Sequence, residues 1–133
     1  MKTRGASSGR ATKKPPEPQS HTEIEDWIDR QMPDLQPVLR CIDVRIRKGI
    51  PDLQYSVKWQ RPYYGLSDRG WIIEIASYDV SVNIVFLNGE DFDDPPADGT
   101  GRSRYVKVRS VQEANAPRID DWIEEAAEHK GWS

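Results

Sequence analysis

The chain predicts an α+β fold: a two-layer sandwich whose largely antiparallel sheet is covered by an N-terminal helix pair and a C-terminal helix. Three observations predict it. Apolar residues recur at helical spacing before Gly49 and after Asn115, they alternate at strand spacing in between, and the strand-like runs are grouped together instead of interleaved with helices. The 133 residues suit one core, since halves of this length would bury too little surface.

Residues 1–19 carry Lys2, Arg4, Arg10, Lys13 and Lys14 against Glu17 alone, among Gly, Ser and Pro. They predict a disordered basic tail ahead of a domain at 20–131. Its charge of +4 leaves −7 on the remainder, so nucleic acid is an unlikely partner except weakly through the tail. A solubilising extension explains the same composition.

The first helix is predicted to start near Ser20 or Thr22, each followed three residues on by Glu23 or Glu25 as in a capping box. Ile24, Trp27 and Ile28 share its apolar face, and Met32-Pro33 ends it. Asp34 is the expected cap of a second helix, with Pro37 in its first turn. Leu35, Val38, Leu39, Ile42 and Ile46 form its stripe, and Gly49 stops it. Cys41 flanks that stripe and has no identifiable His partner, which predicts an inert packing thiol.

Leu53 to Gln60 alternates, with Leu53, Tyr55, Val57 and Trp59 on one face, so a strand is expected there until Pro62 breaks it. Trp71–Ser77 and Val80–Leu87 form the central hairpin, joined by little more than Tyr78-Asp79. Val80, Val82, Ile84 and Phe86 are assigned to the core face. An acidic loop follows, then a last strand over Arg104–Arg109. Asn115 is the expected cap of the closing helix, which carries Ile119, Trp122, Ile123, Ala126 and Ala127 inward and runs toward His129 and Lys130 before Gly131.

Several function classes are excluded or disfavoured by residue type. Nothing approaches the run of roughly 20 apolar residues that crosses a bilayer, and the start lacks a signal-peptide apolar stretch, which predicts a cytoplasmic protein. One cysteine and two distant histidines leave no disulfide framework and no soft-metal cluster. No nucleophile elbow or metal-hydrolase His pair is present, so no enzyme is predicted.

With these pieces in order, residues 20 to 129 resemble the YdhG-like domain family of small bacterial proteins. The resemblance rests on the helix pair and on Lys58-Trp59-Gln60-Arg61-Pro62-Tyr63-Tyr64, which resembles that family's strand ending in a Gly-x-Pro-x-aromatic turn. It also rests on the aromatic hairpin and on Gly99-Thr100-Gly101-Arg102-Ser103-Arg104-Tyr105. Gln60 stands where the family often has Gly, and Asp94-Pro95-Pro96-Ala97-Asp98 where it usually has a longer Gly-Leu-rich loop. Some members are described as frataxin-like iron chaperones. The resemblance therefore implies weakly bound iron as cofactor or cargo, and an iron-accepting protein as partner.

The hard ligands for such a role would be carboxylates at i,i+4 spacing. These are Asp120 with Glu124, Asp121 with Glu125 and Glu124 with Glu128 on the closing helix, and Glu25 with Asp29 on the first. A solvated helix face in an acidic protein has the same spacing. Glu90-Asp91-Phe92-Asp93-Asp94 reads as a solvated loop pinned by Phe92, since it lacks the calcium-loop pattern. Gly99, Gly101, Arg102 and Arg104 form an anion candidate, although such cradles normally open a helix and this one opens a strand. Turn glycines are the competing explanation, with Arg104 paired to a carboxylate. Lys58, Trp59, Arg61, Tyr63, Tyr64 and Trp71 suit an interaction face or a ligand pocket, or alternatively core packing. The expectation is a non-enzymatic binding protein, either an iron carrier or, as the alternative, a protein-interaction or small-ligand module built on residues 58–71.

Overall fold

The computed structural model describes residues 21–133; the tail at 1–19 and a cap at Ser20 lie outside the described residues. The elements are α1 (His21–Asp29), α2 (Gln36–Gly49), β1 (Gln54–Lys58), β2 (Arg61–Leu66), β3 (Gly70–Ser77), β4 (Val82–Phe86), β5 (Asp98–Thr100), β6 (Ser103–Val108), α3 (Val111–Ala114) and α4 (Pro117–Ala126). Six antiparallel strands in the order β1-β2-β3-β4-β6-β5 make one sheet, and the fold is the α+β sandwich that the periodicities predict.

Register decides which side chains meet the helices. Tyr55 pairs with Tyr64, Tyr64 with Ile73, Ile73 with Phe86 and Ile75 with Ile84, so these residues share one face. They are buried in one cluster with Ile24, Trp27 and Ile28 of α1, Leu39, Ile42 and Ile46 of α2 and Ile119 and Ile123 of α4. The opposite face carries a smaller buried cluster of Tyr63, Trp71 and Leu87, with half-buried Val85 against it.

Several expected boundaries are corrected. Pro62 does not break a strand: it lies within β2, opposite Val57. The β2–β3 ladder begins only at Tyr63↔Glu74, so the missing N–H of Pro62 costs no ladder bond. Trp59 is not on the core face of a strand. With Gln60 it forms the two-residue β1–β2 turn, both at positive φ (51° and 63°), and it is 75% exposed. Val80 is likewise 75% exposed, because Tyr78–Ser81 form the β3–β4 connection, closed by the Tyr78 N–H donating to the Ser81 carbonyl.

Asp34 caps nothing. It sits in a 3-10 turn over Pro33–Leu35, and α2 starts behind it with Pro37 in its first turn as expected. Asn115 does not cap α4 either: it ends a short α3, and Ala116 occupies the position before α4. The Ser110 hydroxyl accepts from the Glu113 N–H, and the Glu113 carboxylate accepts from the Arg109 N–H. Asn115 instead accepts from the Arg45 guanidinium at 2.5 Å and from the Cys41 thiol at 3.4 Å. Helix α4 ends at Ala126, short of His129. Buried Asn88 donates to the carbonyls of Ala126 and His129 and so satisfies this helix end.

Beyond α4 the chain returns to the sheet. Trp132 forms a two-bond bridge with Trp71 (2.8 and 2.9 Å), and the Gly131 N–H donates to the Arg69 carbonyl. Glycine is required at both approaches, since a Cβ on Gly70 would lie 1.8 Å from the Trp132 carbonyl and one on Gly131 1.9 Å from that of Trp71.

Candidate functional site

The carboxylates expected to hold iron are dispersed. Asp120 is paired with Arg45 at 2.5 Å, Asp29 with Arg40 at 2.5 Å, and Glu25 faces His21 at 3.7 Å. Glu125 accepts from the Asp93 N–H at 2.8 Å and lies 3.6 Å from His129. Asp121 and Glu124 follow on α4 and Glu128 lies just beyond its end; α4 packs mainly on α2 while α1 packs mainly on β1, and the two acidic helix faces are not gathered into one site. Among the described residues no three His, Cys, Asp or Glu side chains converge to hold a metal ion.

The glycine-arginine turn is also occupied by the protein itself. Arg102 donates to Asp91 at 2.6 Å and to the Lys130 carbonyl at 3.0 Å, while Arg104 donates to the carbonyls of Gly101 and Ser103 and, among the described residues, to no carboxylate. Gly99 and Gly101 adopt positive φ, and a Cβ on Gly99 would meet the Ser103 carbonyl at 2.3 Å. In the acidic loop Phe92 is buried against Phe86, as expected, while Asp94 pairs with Arg118.

The aromatic segment divides between the two faces. Tyr64 is fully buried under the helices, where its hydroxyl donates to Asp43 at 2.7 Å. The others gather on the opposite face around Tyr63, which is only 2% exposed. Trp59, Trp71 and Trp132 approach its ring at centroid distances of 5.9, 6.1 and 6.2 Å. The Tyr63 hydroxyl donates to buried Glu74 at 2.6 Å, and Arg61 reaches the same carboxylate at 3.3 Å. Lys58 stacks its ammonium 4.7 Å over Trp71. Burial, and then the Glu74 hydrogen bond, push the Tyr63 pKa up.

Trp59 stands apart from its neighbours in two respects. A tryptophan at positive φ is costly, on the order of 1–2 kcal/mol, and most of this one faces solvent. The turn is held from beneath by the Trp27 indole N–H, which donates to the Gln60 carbonyl at 2.7 Å. Beside it lies an open depression of about 310 Å3 lined by Trp27, Gln31, Trp59, Gln60, Arg61 and Ser77.

One buried network escaped the sequence reading. Asp43, 5% exposed, accepts from Tyr64 and from His21, whose Nε2 lies 3.0 and 2.9 Å from its two oxygens, with Arg47 at 3.7 Å. The available signal was an aspartate inside the apolar stripe of α2, directly after Ile42 and three residues before Ile46. Burial and the adjacent Asp43 charge raise the Tyr64 pKa well above the usual tyrosine value.

No protein-family model, no curated protein and no solved structure matches this chain. The resemblance to the YdhG-like family therefore rests on its sequence segments alone.

Proposed function

We propose that this chain is a non-enzymatic binding module whose working surface is centred on Trp59, with Lys58, Arg61, Tyr63, Trp71 and Trp132 around it. The observation that carries this reading is the exposed indole of Trp59, held on a turn whose two residues both adopt positive φ. Folding gains little from an indole left in water, while a rigid aromatic beside an arginine is what binding hot spots are made of. No helix among the described residues is long and apolar enough to cross a membrane. In the proposed setting the module works in the cytoplasm, where Cys41 stays a thiol.

Selection of a random peptide library on the native chain, counter-selected on a Trp59→Asn/Gln60→Gly variant, tests the reading. Saturable binders whose amide shifts map to the β1–β2 turn and to Tyr63, Trp71 and Trp132 support it. Failure to enrich any binder, or shifts confined to α4, would sink it.

A further inference from the structure

Of the large apolar side chains most exposed to solvent, four lie on connections at one end of the sheet. Met32 follows α1, Trp59 occupies the β1–β2 turn, and Tyr78 and Val80 occupy the β3–β4 connection. The antiparallel order places these two strand connections at the same end. Met32, Trp59 and Tyr78, but not Val80, line a continuous groove. The depression beside Trp59 adjoins a second one of about 470 Å3 lined by Arg30, Gln31, Met32, Ser77, Tyr78 and Asp79, and the two share Gln31 and Ser77.

The groove has a structural origin. Pairing of β2 with β3 stops at Tyr63↔Glu74, so Arg61-Pro62 leave the end of β3 without a strand partner on that side. The Ser77 hydroxyl at this end is buried with no hydrogen-bond partner among the described residues. Gln31 donates to the Trp27 carbonyl, leaving its own amide oxygen as an acceptor.

The charge of the groove is opposite to that of the domain. From residue 20 onward the chain carries a net −7, yet this end presents Arg30, which has no ion pair among the described residues, and Arg61, which is half-exposed. Lys107 lies 5.8 Å over the Tyr78 ring, and among the described residues Asp79 is the one carboxylate lining the groove.

Building on the Trp59-centred reading, we infer that this groove takes an extended acidic segment of a partner protein, in which Asp or Glu residues flank an apolar or aromatic one. The apolar residue packs against Trp59, Met32 and Tyr78, the flanking carboxylates meet Arg30 and Arg61, and Ser77 and Gln31 hydrogen-bond the segment's backbone.

Fluorescein-labelled synthetic 12-residue peptides test the inference by anisotropy on the full chain. One alternates Asp/Glu with Leu and Trp, a second replaces the acids by Lys, and a third replaces the apolar residues by Ser. The acidic-apolar peptide is expected to bind saturably, at least about tenfold tighter than either control, and to weaken as salt rises. Arg30→Glu, which alters no ion pair among the described residues, and Arg61→Gln should each weaken it at least about fivefold, with far-UV circular dichroism unchanged. Equal or tighter binding of the Lys or Ser peptide, with shifts still at Trp59, overturns the acidic partner while leaving the binding surface in place. Binding of the acidic peptide that is indifferent to both arginine variants overturns the site. Self-association in sedimentation that is abolished by Arg30→Glu assigns the groove to a second copy and also overturns the inference.

Discussion

The Trp27 indole donates to the Gln60 carbonyl at 2.7 Å, so a core residue of α1 clamps a strained surface turn on the neighbouring hairpin. Helix packing and the presentation of Trp59 are thereby one structural event. A helix that shifts on the sheet also releases the turn.

The strain on that turn predicts a trade between stability and binding. Trp59→Asn with Gln60→Gly supplies the residues that a turn with two positive φ values prefers. It should raise stability by about 1–2 kcal/mol, or roughly 5 °C or more in Tm, while losing peptide binding. Thermal and urea unfolding of the variant check the first part, and an unchanged or lower Tm would show the turn to be unstrained.

Asp43 is the acceptor on which a buried donor, Tyr64, and a partly buried one, His21, depend. Asp43→Ala should cost about 2–4 kcal/mol, because the Tyr64 hydroxyl and His21 are left without it. Tyr64→Phe keeps the ring and should cost only about 1–2 kcal/mol. Urea denaturation of both variants gives the comparison, and the order should not reverse.

The two tyrosines with raised pKa set the alkaline limit. Their folded values lie above the ordinary value near 10, so the neutral hydroxyls stabilise the fold fully below about pH 10. That contribution is lost as pH climbs through the folded values. Unfolding free energy should fall from about pH 10 upward, and tyrosinate absorbance at Tyr63 and Tyr64 should lag behind. Tyr64→Phe should flatten the decline; a decline of unchanged steepness would remove Tyr64 as its cause.

The C-terminal bridge admits no side chain at Gly131. Gly131→Ala places a methyl against the Trp71 carbonyl and should cost about 1–3 kcal/mol. It should also free Trp132 from the sheet. Tryptophan emission should shift to longer wavelength before global unfolding, and coincident shifts would show that the segment is not a separate unit.

Iron remains directly testable. Asp120 and Glu125 already have partners in Arg45 and the Asp93 N–H, so the α4 carboxylates are not gathered for a cation. An anaerobic Fe²⁺ titration read by tryptophan fluorescence should give no saturable quenching beyond that of Mg²⁺. Saturation at micromolar iron that disappears when Asp121, Glu124, Glu125 and Glu128 are neutralised would establish the carrier role.

The elements with strong periodicity were legible in the chain. Ile24, Trp27 and Ile28, the stripe of α2, the β3–β4 hairpin and Ile119 with Ile123 lie where their spacing puts them, because burial alone decides such positions. Pro62, Asp34 and Asn115 depart from what their residue types suggest. Each has a standard local role that its surroundings override: at Pro62 β3 pairing is absent, at Asp34 a 3-10 turn replaces the cap, and at Asn115 the side chain binds Arg45. Within the candidate site, Trp59 and Arg61 were visible as residue types. The positive φ of Trp59 and its contact with Trp27 depend on how the hairpin meets α1, which periodicity does not carry.

The strand order has a consequence for how the chain reaches this state. Strands β1 to β4 pair in the order in which they occur, so each new pairing closes only a short loop at small entropic cost. Strand β6 reaches β4 only by closing the long acidic connection, and the Trp132–Trp71 bridge closes a loop of about half the domain's sequence. Loop-closure entropy therefore predicts that the meander pairs before the C-terminal closure, which stopped-flow tryptophan fluorescence would check. On that order Trp132 is expected to be the last aromatic to reach Tyr63, over a ring that Trp59 and Trp71 of the meander already flank.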